Sequence, residues 1–128
     1  KFIYDSLNEE YIDTSGSCLK LIVSATEYRI DSMDDVIKIY GSNGRLKKIY
    51  FDSEDLSEYV NIEYNTDKSI KKVSASNGDY ITFTYLSSKL SSISIYKYNL
   101  SNNRTEFCYN INYFYLKNFL ILPFFIQG

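Results

Sequence analysis

Phe107-Cys108-Tyr109-Asn110-Ile111-Asn112-Tyr113 alternates large apolar or aromatic residues at odd positions with small or polar ones at even positions. A two-residue period sends one set to one face of a strand and the other set to the opposite face. The same alternation runs outward from this stretch. Ile93 and Ile95 alternate with Ser94 and Tyr96. Ile81, Phe83 and Tyr85 alternate with Thr82 and Thr84, and Val60, Ile62 and Tyr64 with Asn61 and Glu63. No segment carries a sustained apolar stripe at helical spacing, and only Asp52 to Tyr59 leaves room for one helical turn. The spacing predicts an all-β chain.

Turn chemistry punctuates these runs. Asn43-Gly44 and Asn77-Gly78 each stand between two strand-like segments. Asn-Gly is the strongest short hairpin signal, because a type I′ turn needs positive φ at both central residues. Thr66-Asp67-Lys68, Ser87-Ser88-Lys89 and Ser101-Asn102-Asn103 are looser polar turns. Strands are expected near 2–4, 19–28, 36–41, 45–51, 58–64, 70–76, 79–86, 91–98, 106–116 and 119–126. The architecture expected is an antiparallel β-meander of consecutive hairpins: a curved sheet, a sandwich or a partly closed barrel. Closure or pairing with another chain is expected, because an open aromatic sheet leaves adhesive edges.

Composition agrees. The 128 residues suit a single domain, 1–128. Tyr (14) and Phe (8) favour half-buried pleated surfaces, and a single Pro leaves strand interiors unbroken. At 45% hydrophobic and 23% charged, the chain has the makings of a core and is not a disordered one. The net charge of −2 argues against a partner held by phosphate contacts, so nucleic acid is not expected.

The chain begins with Lys rather than Met, as a processed or excerpted one would, and its start shows no signal peptide. No stretch reaches transmembrane-helix length. The closest, Phe119 to Ile126, contains Pro123 and reads as a core or interface strand. It and the edge strands are the candidate surfaces for homo-oligomerisation.

A faint repeat runs through 36–98, with 1–30 and 100–128 as candidate caps. An aromatic residue at 40, 64 or 85 precedes a polar turn, then Leu or Ile, two spacers, and Ile or Val. One such unit cannot bury its own face, so copies must stack side by side. Ile39-Tyr40-Gly41-Ser42-Asn43-Gly44-Arg45-Leu46-Lys47-Lys48-Ile49 resembles the YD repeat of bacterial RHS-type proteins. Gly41 stands where that family usually has Asp. Ile62–Val73 and Phe83–Ile93 are weaker copies, with Lys68-Ser69-Ile70 and Ser88-Lys89-Leu90 in place of Gly-Arg-Leu. The resemblance implies a long β-meander in a secreted or cell-surface bacterial protein. The family wraps such sheets around a cargo, and this chain is too short to do so. It implies no catalytic residues.

Functional chemistry is sparse. The chain has no His, which removes Ser-His-Asp and Cys-His nucleophile pairs and the usual base near neutral pH. No phosphate-binding glycine loop occurs. Asp31, Asp34 and Asp35 cluster, as do Asp52, Glu54, Asp55 and Glu58, yet neither group has a calcium-loop spacing. Both read as solvated loops. No cofactor or metal is expected. Cys18 and Cys108 allow one disulfide or two free thiols. Two N-x-[ST] sequons, at Asn99 and Asn103, carry little weight.

The remaining candidates are tyrosines. Tyr80, Tyr96 and Tyr98 are out of phase with Ile81, Ile93 and Ile95, which places them together on the second face. Such a ladder suits a protein or glycan ligand, while the plainer reading is cross-strand pairing. Three functions follow. The first is a non-enzymatic surface or secreted binding module. The second is a structural fragment of a larger YD-repeat-type protein. The third is a small hydrolase, which needs two facing carboxylates, one with a raised pKa.

Overall fold

A computed structural model describes the backbone of residues 1–116 and 119–127, and side chains through Tyr115. Twelve strands follow one another: β1 (Phe2–Asp5), β2 (Glu10–Asp13), β3 (Lys20–Val23), β4 (Glu27–Asp31), β5 (Ile37–Gly41), β6 (Leu46–Tyr50), β7 (Tyr59–Tyr64), β8 (Ile70–Ala75), β9 (Tyr80–Leu86), β10 (Lys89–Asn99), β11 (Arg104–Leu116) and β12 (Phe119–Gln127). They form a single antiparallel sheet in sequence order. The all-β meander is therefore the fold. The sheet is not closed into a barrel, because β1 and β12 each have one sheet neighbour.

The chain divides into two compact units, Lys1–Asn61 and Ile62–Gly128. In the first, β5 is central and Ile37 is 1% exposed, the one buried hydrophobic side chain among the described residues. Asp31 and Tyr50 flank it across the sheet. In the second, long strands β9, β10 and β11 pair through many residues, yet their side chains are only half-buried. A single sheet layer covers side chains by their cross-strand neighbours alone, which leaves each partly wet.

Three expectations need correction. The stretch 19–28 is not one strand. It folds back as β3 and β4, because the Ser24 N–H donates to the Glu27 carbonyl (2.9 Å) and the Glu27 N–H to Ser24 Oγ (3.1 Å). Strand β2 was not expected at all, and its Tyr11 packs on Tyr4 at 5.0 Å between ring centroids. Residues 52–59 make no helical turn. Asp52 Oδ1 accepts the N–H groups of Glu54 (2.8 Å) and Asp55 (3.2 Å), and Asp55 accepts that of Ser57 (2.9 Å). Short acidic side chains thus satisfy backbone donors that a helix would otherwise use.

The Asn-Gly hairpins turn, but not as type I′. Only Gly44 (φ 74°) and Gly78 (φ 94°) are left-handed; the asparagines are not. Each belongs to a five-residue turn that occurs four times: 32–36, 41–45, 65–69 and 75–79. In each, the first N–H donates to the fifth carbonyl and the fourth N–H to the first carbonyl. The fourth residue is left-handed: Asp35, Gly44, Lys68 and Gly78. The third is Asp or Asn. Asn43, Asp67 and Asn77 each accept the fifth residue's N–H at 2.9–3.0 Å. This is the three-residue hairpin loop, in which one left-handed residue suffices. The structural repeat is therefore a turn. It includes 32–36 and 75–79, which lie outside the aromatic–turn–apolar repeat, although Asn77-Gly78 marks the second as a turn.

The type I′ geometry appears instead at Ser87-Ser88, both left-handed at φ 50° and 64°. Serine is a poor residue there. Ser87→Asn with Ser88→Gly is expected to stabilise the hairpin by about 1 kcal/mol. A denaturation midpoint unchanged or lowered would refute that reading of the turn.

Candidate functional site

The second unit has two chemically distinct faces, set by strand register. One face carries two apolar rows, Val73–Ile81–Ile95–Tyr109 and Phe83–Ile93–Ile111. The other carries the row Ser74–Tyr80–Tyr96–Phe107, beside the polar rows Lys72–Thr82–Ser94–Asn110 and Thr84–Ser92–Asn112. Strict alternation along β9 and β10 produces this separation.

The structure brings Tyr80 and Tyr96 together as directly opposed residues, with rings stacked at 4.4 Å and 19°. Lys72 Nζ covers the other side of Tyr80 at 4.3 Å from its centroid. Phe107 meets Tyr96 at 5.5 Å and 69°. Aromatic pairs of this kind contribute about 0.5–1.5 kcal/mol each beyond area burial.

Phe107 was expected to share a face with Tyr109, Ile111 and Tyr113. A β-bulge overturns that. Ile95 pairs with Tyr109 but Tyr96 pairs with Phe107, so Cys108 is an extra residue on β11. An inserted residue shifts the alternation by one and moves Phe107 to the tyrosine face. No turn residue in the sequence signals it.

Tyr98 shares the tyrosine face but has a separate task. Its ring lies on Gly78, where a Cβ would stand 3.0 Å from Tyr98 Cδ2. The Tyr98 N–H donates to Asp79 Oδ1 (2.8 Å), its hydroxyl bonds Asn103 Oδ1, and Thr105 Oγ1 donates to the Gly78 carbonyl (2.9 Å). Tyr98 thus clamps the β8–β9 turn to the β10–β11 end.

The first unit holds a concavity of about 410 Å³ whose lining includes Cys18, Lys20, Asp31, Asp35, Ile37 and Ser53. Its charges are already engaged. Arg29 holds Asp31 through Nε (2.6 Å) and Nη2 (2.9 Å), Lys20 meets Glu10 (3.2 Å), and Ser53 Oγ donates to Asp35 (3.1 Å). The clustered acids therefore diverge to separate partners, and Asp34 bonds Ser32. Among the described residues no group of His, Cys, Asp or Glu is arranged to hold a metal ion.

Every carboxylate whose pKa is displaced moves downward. Ser15 and Ser17 hydroxyls hold Asp13 well below the usual range, Ser69 lowers Asp67, and the Asn99 and Asn102 amides lower Glu106. Donors to the charged form stabilise the anion, which is the reverse of what a general acid requires.

Cys18 is an exposed free thiol in the first unit and Cys108 a half-buried free thiol in the second. Phe119–Ile126 lies within β12, the sheet edge beside β11; its side chains fall outside the described residues. No described helix is long and apolar enough to cross a membrane.

No protein-family model matches this sequence, and no curated protein matches it.

Proposed function

We propose that this chain is a non-enzymatic β-repeat module that docks another protein through the Tyr80–Tyr96–Phe107 face of its second unit. The observation that carries this is the continuous aromatic row lying beside two polar rows and ending at Phe107, which is 39% exposed. Rigid aromatics within a polar surround are the usual anchors of protein contacts. A glycan is the weaker alternative. A sugar ring stacks on an aromatic face, and the faces of Tyr80 and Tyr96 are turned to each other, with Lys72 over the far side of Tyr80. The row offers edges and hydroxyls more than open faces.

A second reading has its own support. The YD-like segment forms the 41–45 turn between β5 and β6, and β12 leaves an open sheet edge. In that reading the chain is a structural piece of a larger bacterial, secreted or surface repeat protein.

A test uses binders selected from a displayed peptide library on the wild-type chain. Their affinity is then measured for Tyr80→Ser/Tyr96→Ser, with folding verified by circular dichroism. The expected result is a loss of at least about tenfold, or 1.4 kcal/mol, for the dominant binders. Binders indifferent to the substitution would assign the tyrosines a structural role alone. An oligosaccharide array in parallel would expose a glycan ligand.

A further inference from the structure

We propose that Asn43 is a site of spontaneous deamidation in the folded chain, and that Asn77, in the same kind of turn, is protected from it. The modification lies in the first unit and does not depend on the docking reading above.

Asn-Gly occurs twice in the sequence, each time after a serine: Ser42-Asn43-Gly44 and Ser76-Asn77-Gly78. The reaction needs no enzyme. The Gly backbone nitrogen attacks the Asn side-chain Cγ and a C–N bond forms. The side-chain nitrogen leaves as ammonia, taking the Gly N–H proton, and a succinimide ring remains. Water opens the ring at either carbonyl, giving aspartate or isoaspartate, and nothing is oxidised or reduced. Glycine favours the attack because no Cβ crowds the backbone.

The two sites share their chemistry. Each Gly N–H donates to the first carbonyl of its turn, Gly44 to Gly41 (2.8 Å) and Gly78 to Ala75 (3.1 Å). Each Asn Oδ1 accepts the fifth residue's N–H, from Arg45 (3.0 Å) and from Asp79 (2.9 Å). Such a donor stabilises the negative charge that develops on this oxygen during attack. Either turn must open locally to release its Gly nitrogen, so the rate follows the open population.

The surroundings set that population. Asn43 is exposed, and a Cβ at Gly44 would meet nothing within 4 Å. At 75–79 three further ties resist opening. Tyr98 lies on Gly78, with Cδ2 3.0 Å from where a Cβ would stand. Thr105 Oγ1 donates to the Gly78 carbonyl (2.9 Å), and the leaving amide of Asn77 donates to Asp79 Oδ2 (3.1 Å).

The two products affect the turn differently. Asp67 holds the equivalent third place in 65–69 and accepts the Ser69 N–H (2.9 Å), so aspartate at position 43 keeps the turn. Isoaspartate lengthens the backbone by a methylene. It breaks the bond from the Gly41 N–H to the Arg45 carbonyl (2.8 Å), at the end of the strand that carries Ile37.

The experiment incubates the full chain at mildly alkaline pH. Tryptic peptides 39–45 and 73–89 are followed by mass spectrometry, with a zero-time sample as background. In the folded chain Asn43 is expected to convert at least about tenfold faster than Asn77. In concentrated urea the two rates are expected to converge, because the structural difference is gone. Tyr98→Ala is expected to bring Asn77 close to the Asn43 rate. Thr105→Val removes one hydrogen bond and leaves the Tyr98 ring, and is expected to raise the Asn77 rate by a smaller factor. Circular dichroism verifies that each variant is folded. Equal rates in the folded wild type would overturn the proposal. So would an Asn43 that converts only in urea, or an Asn77 rate unmoved in the folded variants.

Discussion

Ile37→Ala will lower the unfolding free energy by about 3 kcal/mol, the largest loss expected from truncating one side chain in the first unit. Ile37 is 1% exposed while the other apolar side chains of this unit keep some contact with water. It sits between Asp31 and Tyr50 in the sheet. Tyr50 in turn meets Tyr59 edge-on at 5.9 Å, and Lys48 Nζ lies 4.2 Å from the Tyr59 centroid. The row from Asp31 to Tyr59 is therefore anchored at Ile37. Removing three carbons leaves a cavity that strand backbones, pinned by ladder hydrogen bonds, cannot collapse to fill. Ile39→Ala, two residues along the same face and half-buried, is the comparison and should cost less than half as much. Urea denaturation followed by circular dichroism measures both. Equal losses would mean that Ile37 has no special place in the packing.

Gly78→Ala is expected to cost about 3 kcal/mol, and Gly44→Ala about 1 kcal/mol. Both glycines are the left-handed fourth residue of the same five-residue turn, at φ 94° and 74°. The backbone penalty for adding a Cβ is therefore shared. The surroundings differ. At Gly44 the new Cβ meets nothing within 4 Å. At Gly78 it meets Tyr98 Cδ2, Cγ and Cβ at 3.0, 3.1 and 3.2 Å. Those atoms lie near the Tyr98 backbone, which is itself held by Asp79 Oδ1, so the ring has no free path aside. The added loss is one of overpacking. If Tyr98→Ala is made first, the cost of Gly78→Ala should fall towards the Gly44 value, leaving only the 3.2 Å contact with the retained Cβ. A double-mutant cycle reads this coupling directly, and no coupling would disprove the clamp.

Much of the meander was legible because its signals are local. Alternation in 81–85, 93–96 and 109–113 named strands and faces correctly, and Asn43-Gly44 and Asn77-Gly78 located turns. The short N-terminal strands were harder. Four residues around Tyr11 give too little alternation to read, and Ser24-Ala25-Thr26 turns the chain without Gly, Asn or Pro. Asp52 and Asp55 looked compatible with a helical turn, because their capping of nearby N–H groups is a choice between competing local hydrogen bonds.

The candidate site shows the same division. That Tyr80 and Tyr96 share a face follows from residue phase alone, since a two-residue period is enforced by backbone geometry. Whether they stack, and what covers their outer sides, depends on register between strands far apart in sequence. The Cys108 bulge, which moves Phe107 into the tyrosine row, is invisible to periodicity because it breaks it. The stationing of Tyr98 on Gly78 joins two hairpins and has no local signature. Residue order by itself determined the strand class, the turn positions and the two-faced character of the second unit, because these obey the short-range sterics of neighbouring residues. Tertiary structure alone decided the order of pairing in the sheet, the burial of Ile37 as the one buried hydrophobic side chain among the described residues and the membership of the aromatic row, because these depend on cross-strand pairing.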